Sequence, residues 1–126
     1  MLKVIGNAFI LGMVETIGEG QEVAEKTGLG VPELHRSIEM MFPGPHAAYS
    51  NRMQSRDYCK GELPLFAVDL AMKDARHAQS LANKAGVHMN VEAANGYLKR
   101  VKEHMGTRRD IAGIYGAKRI EARMKV

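Results

Sequence analysis

Two polar residues near the start of the chain stand at a spacing that chemistry can use: Lys3 and Asn7, in Lys3-Val-Ile-Gly-Asn7. On a helix, residues four apart lie about 40° apart around the axis and project from one face. A cation and an amide presented together can hold and polarise a substrate oxygen. Taken alone, the spacing fits a solvated lysine beside an indifferent asparagine better, because charged side chains mostly line exposed faces.

A second group lies in the run Phe66 to His77. Steps of four, three and four put Phe66, Leu70, Lys73 and His77 on one helical stripe. An exposed phenylalanine and lysine on such a stripe can receive a flat ring and an anionic group. The alternative is a core Phe66 with Lys73 snorkelling from the edge of that core. In either reading Asp74 pairs with a neighbouring cation or caps a loop.

Other chemistries find no pattern. Gly18-Glu19-Gly20 and Gly28-Leu29-Gly30 lack the third glycine and the preceding strand of a dinucleotide-binding turn. The five histidines never stand four apart. Asp74-x-x-His77 is half of a carboxylate-bridged di-metal motif whose second half is missing, so no metal is expected. Cys59 has no neighbouring histidine to activate it as a nucleophile.

The elements that must position these residues read as helices. The first is expected from Leu2 through Ala24, with Leu2, Ile5, Phe9, Met13, Ile17 and Ala24 as its apolar stripe, and with Lys26-Thr27-Gly28 as its stop. Val4, Ala8, Leu11 and Val14 add a second apolar flank, which motivates an expected dimer. A second helix begins at Pro32 and runs to about Met41, stopped by Pro43-Gly44-Pro45. A third spans His46 to about Tyr58, followed by a loop over Cys59 to Pro64. The fourth runs from about Leu65 to Ala85 with Gly86 as cap. Asn90 is expected to cap a fifth, Val91 to about Met105, ended by Gly106. Asp110 caps a last short turn through Ile114, before a solvated basic tail. No run alternates cleanly, so the chain reads as all-α.

The 126 residues suggest a single domain, and 45% hydrophobic with 25% charged content is ordinary for a globular protein. No apolar run reaches the about 18 residues of a membrane span, and a signal peptide is not expected. A lone cysteine fits a reducing compartment, and the expected location is cytoplasmic, or mitochondrial if a longer parent carries a transit peptide. The net charge of +4 is concentrated in Arg108-Arg109 and in Lys118, Arg119, Arg123 and Lys125. Such an excess weakly favours anionic partners. Nucleic acid is not expected, because aromatic interleaving and a recognisable module are lacking.

The ordered series Lys3-x-x-x-Asn7, Glu15, Ala24-Glu25-Lys26-x-Gly28-Leu29, Phe66-x-x-x-Leu70-x-x-Lys73-Asp74 and Ala85-Gly86-Val87 resembles the C-terminal domain of the β-hydroxyacid dehydrogenase family, which includes 3-hydroxyisobutyrate dehydrogenase and is related to 6-phosphogluconate dehydrogenase. The resemblance runs from Lys3 to about Ile114. It implies a multi-helix bundle like the 6-phosphogluconate dehydrogenase C-terminal domain, with a long first helix. It implies that Lys3 is the catalytic acid–base, that Asn7 binds a small hydroxyacid substrate, and that Phe66, Lys73 and Asp74 lie on the cofactor side. The implied cofactor is NAD or NADP, and the implied assembly is a homodimer. The G-x-G-x-x-G turn of the family's Rossmann domain does not occur in this chain, so the chain alone is expected to be inactive. Gly6 stands where many members have another asparagine, and Asn90 where many have proline. A non-catalytic helical association module derived from the same family is the alternative.

Overall fold

A computed structural model describes residues 1–57, 66–106 and 110–125. Cys59, the loop to Pro64, Tyr58, Arg108 and Arg109 lie outside the described residues. Six helices follow in order among the described residues: α1 Leu2–Thr27, α2 Val31–Met41, α3 Pro45–Ser55, α4 Val68–Ala85, α5 Glu92–Met105 and α6 Gly113–Glu121. The fold is all-α, as the periodicity predicts. None of these helices is long and apolar enough to cross a membrane.

The helix ends follow local chemistry. Gly28 adopts φ 82° and closes α1, its N–H bonding to Glu25 O. Gly86, at φ 70°, does the same for α4. Most side chains lack this left-handed freedom, so glycine stops a helix where the pattern alone would let it run on. Pro32 and Pro45 sit in the first turns of α2 and α3, where a missing N–H leaves nothing unpaired.

With 26 residues, α1 is about 39 Å long. It packs against α4, α6, α3 and α2. The core gathers around Leu11, Val14, Ile17, Met53, Leu98 and Ile114. The buried line on α1 is Ala8, Leu11, Val14, Ile17, Gly18, Gln21 and Ala24. This corrects the expected stripe: Leu2 and Phe9 are 85% and 75% exposed. Both flanks of α1 are apolar, and periodicity cannot choose between them. The alanines of α4 (Ala71, Ala75 and Ala78, all buried) choose, by admitting the flank that carries Ala8 and Leu11.

Three further expectations change. The fourth helix was expected from about Leu65, which lies outside the described residues; it starts at Val68, after Phe66 and Ala67. Phe66 and Ala67 are instead drawn into an isolated antiparallel bridge with Asp110, in which Ile111 N donates to Phe66 O at 2.9 Å. Asn90 does not cap α5. Val91 takes the cap position without a side-chain bond, because its own burial beside Ala8 and Ala78 sets where the helix begins.

The third change is the C-terminal stretch, which is more than a short turn and whose basic residues are exposed only beyond Glu121, at Arg123 and Lys125. It forms α6, with Lys118 and Arg119 only 6% and 4% exposed. Lys118 Nζ meets Glu19 at 3.1 Å and Glu15 at 3.7 Å, and lies 4.0 Å from the Tyr97 ring centre. Arg119 pairs with Glu25 and donates to the Tyr115 hydroxyl at 2.9 Å. Burial works against charge on Lys118, yet the Glu19 hydrogen bond, Tyr97 and Glu15 outweigh it and hold the ammonium above its ordinary pKa. The acids of α1 thus absorb two of the four cations that the sequence suggested were free, whereas Arg123 and Lys125 remain exposed.

Candidate active site

The seam between α1 and α4 carries the site. Small residues let the two helices approach, and polar residues beside them in sequence are left along the seam. Lys3, Asn7 and Ile10 come from α1, and Leu70, Lys73, Asp74 and His77 from α4. Tyr49 of α3 and Phe66 complete a cleft of about 520 Å³. All five residues assigned from the sequence therefore share one cavity, although 59 positions separate Asn7 from Phe66 in the chain.

Asn7 is held. Its Nδ2 donates to Asp74 Oδ2 at 2.5 Å. An ionised carboxylate only accepts, so this contact fixes which way the amide faces. The Asn7 carbonyl and its second N–H remain for a ligand. Asp74 was expected to meet a cation or a loop; its partner is an amide across the seam. Lys3 and Lys73 make no ion pair among the described residues, and both are exposed.

Phe66 is held from behind. It packs against the main core, and its backbone N–H donates to Asp110 Oδ1 at 2.9 Å. Asp110 Oδ2 accepts from Arg52 Nε and from Ala112 N–H, both at 3.1 Å. The ring therefore stands on a buried, charge-anchored support, although it precedes α4 rather than lying on it.

Tyr49 and Ile10 were not assigned from the sequence. For Ile10 the signal was present: it follows Asn7 by three residues and Lys3 by seven, on the same helical face. Tyr49 had no local signal, since only the packing of α3 on α1 brings it to the cleft. Burial, with the Asp110 charge adding to it, pushes the Tyr49 hydroxyl up to about 12. It is a neutral hydroxyl near pH 7 and not an acid–base group.

A second cluster has the outline of an acyl-transfer triad. His35 Nδ1 lies 2.8 Å from Ser50 Oγ, and His35 Nε2 lies 2.7 Å from Glu39. Ser50 is wholly buried, however, and its Oγ accepts from Gln21 Nε2 at 2.8 Å. It ties α1, α2 and α3 together and cannot reach a substrate.

The α1–α4 cleft offers a cation and an anchored amide on one side, an aromatic plate and a second cation on the other. That arrangement suits a small oxygenated molecule beside a flat ring. Over 124 residues the chain is 34% identical to the NADH-dependent oxidoreductase ucdB of Aspergillus ustus. The chain is related to an oxidoreductase. The match covers 97% of this chain and 43% of that protein, so the chain spans less than half the length of the curated relative it matches. No family model matches the chain.

Proposed function

We propose that this chain is the helical substrate-binding and catalytic domain of an NAD(P)-dependent oxidoreductase acting on a 3-hydroxyacid, completed by a nucleotide-binding part of a longer protein. The observation that carries the reading is the convergence of Lys3, Asn7, Phe66, Lys73 and Asp74 on one cleft. The NADH-dependent relative, which is more than twice as long as the matched region, supports it.

The nicotinamide would supply or take the hydride. Phe66 and Lys73 fit its ring end, one as an apolar plate on a rigid support and one as a cation. Lys3 transfers the proton at the substrate oxygen, which must gain or lose one as the carbon is reduced or oxidised. Asn7 orients that oxygen, and Asp74 keeps Asn7 in place. This gives Asp74 a positioning role on the substrate side, beside the cofactor side that the resemblance implied.

The test is steady-state kinetics on the full-length protein with a panel of hydroxyacids. Lys3→Ala should lower kcat by on the order of 10²–10⁴ while cofactor affinity holds. Lys3→Arg should rescue poorly, since a guanidinium does not give up its proton near neutral pH. Asn7→Ala should raise KM and lower kcat together, because positioning serves both ground and transition states. If Lys3→Ala retains parental kcat on its best substrate, the reading fails.

The same reading includes a homodimer. Phe9 and Met13 face a shallow hollow that His46 shares, and the His46 ring lies 5.3 Å from Phe42. This exposed apolar patch also favours the second reading, an association module without catalysis. The Lys3 kinetics separate the two.

A further inference from the structure

The cleft does not end at His77. The same imidazole borders a second, open groove of about 360 Å³, lined besides by Met1, Val4, Ser80 and Leu81. The groove has a firm floor: Val4 packs with Met89 against the small core of Ala8, Ala78 and Val91. His77 makes no hydrogen bond or ion pair with any described residue, so nothing in the described fold fixes it across the passage. The two cavities differ in character. Lys3, Asn7, Lys73 and Asp74 all stand in the cleft, whereas the groove presents mainly aliphatic side chains.

The geometry points to a substrate with an apolar arm: an oxygenated acid head on Lys3 and Asn7, and a hydrocarbon arm that crosses His77 and lies on Val4 and Leu81. The inference rests on the cleft being the substrate site of the function proposed above. A compact hydroxyacid would leave the groove empty, and its polar head gives no reason for an aliphatic surface to continue from the cleft. The occupant that joins the two surfaces is a molecule whose polarity changes along its length as theirs does.

The expected gain follows from apolar burial. A fully buried methylene strengthens binding about fourfold, and an open groove that covers one side of the arm gives about twofold. Calorimetric titration of the full-length protein with 3-hydroxybutyrate, 3-hydroxyhexanoate and 3-hydroxyoctanoate, each kept below micellar concentration, reads it directly. Affinity should rise on the order of 15-fold from the shortest to the longest acid. In Ser80→Trp, which fills the groove from an exposed position, the octanoate-to-butyrate ratio should fall to near one. Leu81→Gln should reduce the same ratio, and circular dichroism confirms that both variants remain helical. A flat series, absence of binding, or a length dependence untouched by both substitutions overturns the proposal. The outcome is separable from the dehydrogenase reading. Oxidation of 3-hydroxybutyrate by the full-length protein with a flat series sinks only the arm. A clear length dependence without any oxidation of these acids sustains the arm and sinks the dehydrogenase.

Discussion

Asp110 is where the fold and the cleft depend on one side chain. Its carboxylate is buried and accepts from Arg52 Nε at 3.1 Å, Phe66 N–H at 2.9 Å and Ala112 N–H at 3.1 Å. Asp110→Ala removes the charge opposite Arg52 and strands the two backbone donors. Breaking a buried ion pair from one side costs about 3–5 kcal/mol, and each unsatisfied buried donor about 1–3. These terms overlap, because water admitted to the gap serves several groups at once. The Arg52 side chain is 17% exposed and can turn outward, which puts the sum near the lower end, at about 3 kcal/mol. For a chain of this length that corresponds to roughly 10–15 °C in Tm. Urea denaturation followed at 222 nm measures the free energy. Hydrogen exchange at the Phe66 and Ile111 amides measures whether the bridge behind the cleft has opened. Asp110→Asn keeps an acceptor oxygen and should lose about half as much. An Asp110→Ala protein within 1 kcal/mol of wild type, with both amides still protected, would refute the account of how Phe66 is held.

Three other outcomes are expected. The raised Tyr49 pKa stabilises the fold fully below pH 10, and this contribution is lost as pH climbs from 10 toward about 12, because the unfolded tyrosine ionises first. Wild type should therefore lose about 2 kcal/mol more than Tyr49→Phe between pH 9 and pH 11.5 in urea titrations, and equal losses would contradict the burial argument. Phe9→Glu, at an exposed position, should convert the proposed dimer to monomer in sedimentation equilibrium without changing helicity. Calorimetry of this chain alone with NADH should find millimolar binding at best, since the cleft supplies a plate and a cation but no pyrophosphate cradle among the described residues; micromolar affinity would overturn that.

What the sequence disclosed was chemistry that acts within a few residues. Glycine past a helix end, proline in a first turn and a lysine–asparagine step of four all depend on neighbours along the chain, and Gly28, Gly86, Pro32 and the Lys3–Asn7 face were legible for that reason. What it withheld needed a partner from far away. The phase of the α1 stripe depends on which apolar flank the alanines of α4 accept. The start of α4 depends on Asp110, which lies 44 residues beyond Phe66. Asn90 carries a good capping side chain, and the burial of Val91 overrides it. Tyr49 reaches the cleft through the packing of α3, which no local pattern encodes.

Charge shows the same division and bears directly on the site. The formal excess of +4 counts cations without saying which are neutralised. Lys118 and Arg119 looked like a free basic tail, but their partners Glu19 and Glu25 lie 99 and 94 residues away. Once those pairs form, Lys118 and Arg119 are buried and locally balanced, while Arg123 and Lys125 beyond them stay exposed. Lys3 and Lys73 keep no such partner among the described residues, and they share a cavity. The one carboxylate beside them, Asp74, has an oxygen committed to Asn7. The α1–α4 seam therefore carries two exposed ammonium groups beside one carboxylate among its described residues. The net charge weakly favours anionic partners in general, and burial removes Lys118 and Arg119 from the cations that could meet one.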